Sequence, residues 1–280
     1  MPPPHEVAAA LAPLRARLRD AAVLLDLDGT LAAIRPRPQD VTLDPGVRDA
    51  VTRLCRAART VALVSGRGLR DLEGIAAIPE CVYVGNHGME VRDPDGRRRV
   101  PDAVAAHRDA IAAFAARWPA TLLAPHGVTL EDKGVTLSFH YRTAPDPADA
   151  HAWVEREVAA AAVAAGLRPT AGRMVTEVRP PVAVDKGTAV RDLVARSGAR
   201  LAVYFGDDRT DVDAWRVLTQ LRRDGVLDGC VAVAVVGDET PPEVRAAADV
   251  AVRGPAEVLA TLEWLGDAAG HGAAGGVTPS

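Results

Sequence analysis

Two aspartates one residue apart close the apolar run Ala21 to Leu25: Asp26 and Asp28 flank Leu27 and are followed by Gly29 and Thr30. The run is short and without helical period, so it reads as a buried parallel strand. Strand side chains alternate between faces, which predicts that both carboxylates project together from the carboxyl end, where open α/β sheets bind ligands. At about 4 Å two such charges repel by roughly 1 kcal/mol in water and roughly 4 kcal/mol at an effective dielectric of 20. A hard cation with oxygen ligands relieves that repulsion, and Mg²⁺ is the first choice. A lone pair of this kind can equally be a turn cap beside a solvated side chain, so the reading depends on what else reaches the same edge.

Three further stretches reach it. Thr60 to Val64 is a second apolar run, ending in Ser65-Gly66-Arg67, which taken alone is an ordinary turn. Leu201 to Phe205 ends in Gly206-Asp207-Asp208, with Asp211 one helical turn on, and Lys186 opens a helical stretch. Of 33 basic residues only Lys133 and Lys186 are lysines, and Asn86 is the single asparagine. A chain that uses Arg for charge elsewhere keeps Lys where a compact ammonium is needed and a forked guanidinium does not fit. The inventory is a carboxylate able to act as nucleophile, a second carboxylate, a hydroxyl, an ammonium and a metal-binding acid pair. It suits phosphoryl transfer, which rests on charge neutralisation and positioning.

Taken in order, Asp26-Leu27-Asp28-Gly29-Thr30, Ser65, Lys186 and Gly206 to Asp211 resemble the haloacid dehalogenase superfamily of phosphatases. The resemblance implies Asp26 as the nucleophile of an aspartyl-phosphate and Asp28 as acid to the leaving oxygen, then base to water. It places Mg²⁺ on Asp26, the Asp28 carbonyl and Asp207, with Asp208 and Asp211 in support, and Ser65 and Lys186 on phosphoryl oxygens. A narrower resemblance, to trehalose-6-phosphate phosphatases, is carried by Gly85-Asn86-His87-Gly88, Glu131-Asp132-Lys133-Gly134, His140-Tyr141-Arg142, and Glu177-Val178-Arg179-Pro180 ahead of Asp185-Lys186-Gly187. It implies that Glu131, Lys133 and Glu177 bind sugar hydroxyls, with Asn86, His87 and Arg142 near them. The chain departs from that pattern at Asp132, where Asn is usual, and at Val212, where Glu is frequent. Other capped phosphatases of sucrose or mannosyl phosphates, a phosphomutase and a non-catalytic sugar-phosphate binder are the alternatives. A mere binder has no use for Asp28.

Holding these groups at one edge takes a βα alternation, and the sequence shows it on both sides of an interruption. Strands, turns and helices alternate up to the hairpin at Met89 to Val100 and again from Lys186. Between them, Ala103 to Arg117 and Ala148 to Ala165 read as helices, Thr121 to Leu130 and Val135 to Tyr141 as half-exposed strands, and Leu167 to Val178 as a hairpin about Gly172. The expected fold is α/β: a Rossmann-like parallel-sheet core, residues 1–101 and 179–266, with an inserted α+β cap, 102–178, and a disordered tail, 267–280. Net charge of −4 and a pI of 6.0 argue against a general nucleic-acid or anionic-membrane binder. Three scattered cysteines suit neither a disulfide framework nor a zinc site and fit a reducing compartment. No stretch reads as a signal peptide or a membrane span. The expectation is a cytoplasmic monomer acting on a small sugar phosphate.

Overall fold

A computed structural model describes residues 2–35, 37–172, 174–237 and 240–267. The expected tail, after Asp267, lies outside the described residues. The strands, in chain order, are β1 (Ala21–Leu25), β2 (Thr60–Val64), β3 (Val82–Gly85), β4 (Glu90–Arg92), β5 (Arg98–Arg99), β6 (Thr129–Asp132), β7 (Leu137–His140), β8 (Arg168–Gly172), β9 (Val175–Arg179), β10 (Leu201–Gly206), β11 (Gly229–Val236) and β12 (Val250–Arg253). The helices are α1 (His5–Ala16), α2 (Pro45–Ala57), α3 (Leu69–Ala76), α4 (Asp102–Ala105), α5 (Arg108–Ala115), α6 (Ala120–Leu123), α7 (Pro147–Trp153), α8 (Ala160–Ala164), α9 (Lys186–Ser197), α10 (Arg209–Arg223), α11 (Pro242–Ala247) and α12 (Gly254–Gly266). The chain divides into two compact units, Met1–Arg98 with Val184–Ser280, and Arg99–Ala183.

The first unit is a doubly wound sheet in the order β12-β11-β10-β1-β2-β3-β4-β5, parallel from β12 through β3, with β4 antiparallel to β3. From β1 the chain winds outward through β2 and β3, and later through β10 to β12 on the other side. The order therefore reverses between β1 and β10, the crevice where such sheets bind ligands. Alternation along β1 feeds both layers. Ala21, Val23 and Leu25 pack with α1, α2, α3 and α12, while Ala22 and Leu24 pack with α9, α10 and α11. Asp26 continues the second phase and meets the α9 and α10 layer. The helix starts follow the sequence: Asp44 caps α2 from its side chain to Gly46 N at 2.7 Å with Pro45 next, and Asp185 and Thr188 form a capping box on α9.

The second unit is an antiparallel sheet, β6-β7-β9-β8, with helices against one face. Phe114, Trp118, Leu137, Phe139, Trp153 and Val178 are among its core residues. It reaches past the expected 178 because β9 pairs on to Arg179, opposite Arg168. Two elements differ from expectation. Thr121 to Leu130 is not one strand: Pro119 starts the short α6, Pro125 sits in a 3₁₀ turn over Ala124–His126, and pairing begins only at Thr129. The helix expected over Ala103 to Arg117 breaks into α4 and α5. His107 leaves helical geometry at φ −105° and ψ 2°, and its Nδ1 lies 2.9 Å from the Ala103 carbonyl. The helix begun by α7 runs through a π segment, Val154–Ala159, before α8.

Candidate active site

At the carboxyl end of β1, Asp26 is only 4% exposed, and its backbone N–H donates to the Phe205 carbonyl of β10 at 3.0 Å. Lys186, the first residue of α9 and 3% exposed, donates from Nζ to Asp26 Oδ1 and to Asp211 Oδ1, each at 2.7 Å. Asp211 accepts at Oδ1 from the Tyr204 hydroxyl at 2.8 Å and at Oδ2 from the backbone N–H of Asp207 and Asp208, both at 3.0 Å. Four bonds fill the acceptor capacity of one carboxylate. Asp211 is thus the bracket that fixes the Lys186 ammonium and the Gly206-Asp207-Asp208 turn together. Glycine at 206 is a necessity: a Cβ there would fall 2.3 Å from Asp211 Cγ. Asp208, expected in support, caps α10, its side chain accepting from Arg209 N at 2.6 Å.

Asp28 does not share its neighbour's cation. β1 ends at Leu25, Gly29 turns the chain at φ 85°, and the Asp28 carboxylate accepts two bonds from Arg67, Nε to Oδ2 at 2.6 Å and Nη2 to Oδ1 at 2.7 Å. The two carboxylates thus rest on different cations, Asp26 on Lys186 and Asp28 on Arg67. Arg67 reaches Asp71 and the Pro38 carbonyl as well, at 2.5 and 3.1 Å. The paired carboxylates of Asp28 and Asp71 hold its guanidinium charged against the pull of burial. Sequence reasoning passed over Arg67 and Tyr204. Neither stands out in the sequence: Arg67 is one arginine among many, and Tyr204 lies inside the apolar run of β10.

Ser65, 1% exposed at the end of β2, donates its N–H to Val84 O at 2.9 Å and accepts at Oγ from Arg67 N at 3.1 Å. Its carbonyl accepts from His87 N at 3.0 Å, so the turns after β2 and β3 are tied together. Asn86 and His87 hold φ of 50° and 56°, a left-handed pair that sidechain-bearing residues seldom adopt. Asn86 is fixed by Nδ2 to Glu90 Oε2 at 2.7 Å and by its N–H to the Arg67 carbonyl at 2.7 Å. Such strain costs on the order of 1–3 kcal/mol per residue and clusters where geometry serves a site.

Burial pushes the Asp26 carboxyl well above its usual range, with Lys186 pulling the other way and the charges of Asp211 and Asp207 adding to the rise. The same cause, with Asp211 beside it, pushes Asp207 up to about 8. Burial works to lower Lys186, but Asp211 and Asp26 hold its ammonium well above the normal lysine range. One ammonium is therefore set among more buried carboxylate than it neutralises. Oxygen atoms of Asp26, Asp207 and Asp211 lie within 4.8 Å of one another. With Asp211 saturated, Asp26 and Asp207 are the pair that fits a hard cation. The space is kept by Gly29, where a Cβ would sit 2.0 Å from Asp207 Oδ2.

The remaining expected residues fall in the second unit. Glu131 on β6 pairs with His140 at 2.8 Å, and Lys133 donates to Glu177 Oε1 at 3.0 Å. Glu131 and Glu177 both lie on the sheet face opposite the core residues Leu130 and Val178. Arg142 lies in the turn after β7, half-buried. The departure at Asp132 has a local role: Oδ1 accepts from Gly134 N at 2.8 Å, a turn contact that Asn makes equally well. Val212 packs in the layer with α9.

Solved structures of this shape include a trehalose-6-phosphate phosphatase related protein, with a TM-score of 0.72 and 20% identity over 88% of this chain and 97% of that one. The fold is shared with haloacid dehalogenase-like hydrolases. Among curated proteins, a trehalose-phosphate phosphatase of Mycobacterium avium is 36% identical over 259 residues, 89% of this chain and 63% of that one. An uncharacterized glycosyl hydrolase of Mycobacterium tuberculosis is 38% identical over 207 residues, 70% of this chain and 15% of its own length. The chain thus spans less than two thirds of these curated relatives. The family model described as trehalose-phosphatase matches residues 24–248, a stretch that takes in Asp26, Arg67, Glu131, Glu177, Lys186 and Asp211 alike, and on that match the chain belongs to the trehalose-phosphatase family.

Proposed function

We propose that this chain hydrolyses trehalose 6-phosphate to trehalose and phosphate through an aspartyl-phosphate on Asp26, with Mg²⁺ as cofactor. The observation that carries the reading is a buried carboxylate at the β1 end, fixed at one oxygen by Lys186, at the switch point of a sheet whose family is trehalose-phosphatase. Among the described residues no bond to Asp26 Oδ2 is found, so that oxygen is the one to attack phosphorus. Lys186 holds the nucleophile and offers its charge to the phosphoryl oxygens. Ser65 and the N–H groups after β2 offer donors. Asp28 protonates the leaving sugar oxygen and then takes the proton of the attacking water. To do so it exchanges its Arg67 bonds, which makes Arg67 its resting partner. Asp26, Asp207 and the Asp28 carbonyl would hold Mg²⁺, which supplies charge neutralisation at the phosphoryl group.

Glu131, Lys133 and Glu177 bind sugar hydroxyls in this reading, with Asn86, His87 and Arg142 assisting. A non-catalytic binder would have no need of an acid such as Asp28. The test is phosphate release from a panel of sugar phosphates, trehalose 6-phosphate, sucrose and mannosyl phosphates included, with and without chelator. Preference for trehalose 6-phosphate supports the assignment. Preference for another member moves the substrate, and no release from any member removes the phosphatase reading.

A further inference from the structure

β7 is the strand between the two carboxylates proposed to bind sugar, and it contacts both. Leu137 and Phe139 of β7 enter the core of the second unit, so Ser138 and His140 take the other face. Register sets Ser138 directly opposite Glu131 on β6 and directly opposite Glu177 on β9. The two carboxylates therefore stand two strand spacings, about 9.6 Å, apart. Ser138 is fully buried, and its Oγ donates to Glu177 Oε1 at 3.3 Å, the oxygen that Lys133 Nζ also reaches at 3.0 Å. His140 Nε2 donates to Glu131 Oε2 at 2.8 Å. Each carboxylate is thus tied at one oxygen by a neighbouring position of the same strand.

A free glutamate has three rotatable bonds to freeze when a ligand hydroxyl donates to it, and prior fixation by the protein removes that cost from binding. Two like charges on one sheet face also need donors to keep them turned to fixed directions. We propose that Ser138 and His140 are positioning residues, Ser138 aiming Glu177 and His140 aiming Glu131, and that this strand sets the spacing at which a polyhydroxylated ligand is read. The inference rests on the proposed function and goes beyond it in naming what makes the two carboxylates selective. Neither residue is proposed to touch the substrate.

The test is a pair of double-mutant cycles read as a ratio: kcat/KM for the preferred sugar phosphate over kcat/KM for a small aryl phosphate. The ratio cancels differences in folded fraction. Ser138→Ala and His140→Ala are each expected to lower it about three- to tenfold, the effect of one hydrogen bond. His140→Gln, which keeps an N–H donor, should recover most of the loss. In a Glu177→Ala background Ser138→Ala should change the ratio no further, and in a Glu131→Ala background the same should hold for His140→Ala. Equal losses with and without the glutamate, or no loss in the parent chain, overturn the proposal. A parent chain that turns over no sugar phosphate at all fails at the underlying reading instead, and is recognised by that.

Discussion

Lys186 carries two ion pairs on one largely buried ammonium, and the arrangement explains why one of the chain's two lysines stands there. Two contacts of 2.7 Å to Asp26 and Asp211 define a pocket for a small tetrahedral cation. Lys186→Arg preserves the charge but pushes a planar fork between the carboxylates, so kcat should fall by roughly tenfold or more. A rate within about twofold of the parent would show that any cation serves there. Asp26, Ser65 and Asp207 stood out in the sequence because each closes an apolar run, where a polar residue needs a reason, and Lys186 because it is one of only two lysines and opens a helical stretch. Arg67 did not, because in a chain that uses Arg nearly everywhere for positive charge one more carries no signal. Its role is visible only once β2 lies beside β1 and brings Asp28 within reach. Tyr204 was hidden for the opposite reason, as part of a hydrophobic strand.

At the scale of elements, the adjacent parallel strands β1 and β10 end side by side and bring together more carboxylate than the one buried ammonium neutralises. Asp207 shows the consequence, held up to about 8 by burial and by Asp211. A carboxyl whose native pKa lies above its unfolded value near 4 binds its proton more tightly when folded. That stability is full below the unfolded value and is lost as pH rises toward about 8. The chelated protein should therefore melt at progressively lower temperature as pH rises from about 5 to about 8. Mg²⁺ binds the ionised form, so it should raise Tm more at the upper end of that window than at the lower. Calorimetry in matched buffers reads this without turnover. A Tm in chelator that climbs across the window, or an Mg²⁺ shift larger at low pH, would contradict the site. The strands and helices around this edge were legible because their apolar runs are uniform and their caps explicit, as at Asp44-Pro45 and Asp185. Thr121 to Leu130 was misread because alternation survives in a segment that Pro119 and Pro125 keep from pairing.

For the whole molecule, the two units carry different chemistry: buried carboxylates and an ammonium at a sheet edge in one, a polar face of an antiparallel sheet in the other. The division was legible as a break in βα alternation. Its ends were less so, because pairing to Arg179 depends on β8 across the sheet. If Glu131, Lys133 and Glu177 read the sugar, replacing each by Ala should lower kcat/KM for trehalose 6-phosphate by about ten- to a hundredfold, with a much smaller loss on an aryl phosphate that has no hydroxyls to offer. Equal losses on both substrates would make these residues part of the framework instead.

Asp26 is the proposed nucleophile of a proposed magnesium-dependent sugar phosphatase, and its replacement tests that role. The direct measurement is phosphate release from trehalose 6-phosphate with Mg²⁺ present, by the parent chain and by Asp26→Asn, each verified as folded by its melting curve. The carboxamide is nearly isosteric, is a poor nucleophile and is a weaker metal ligand. The predicted result is turnover by the parent and a loss of at least about a thousandfold in the variant. A folded Asp26→Asn chain that keeps activity within about tenfold of the parent would contradict the mechanism at its centre.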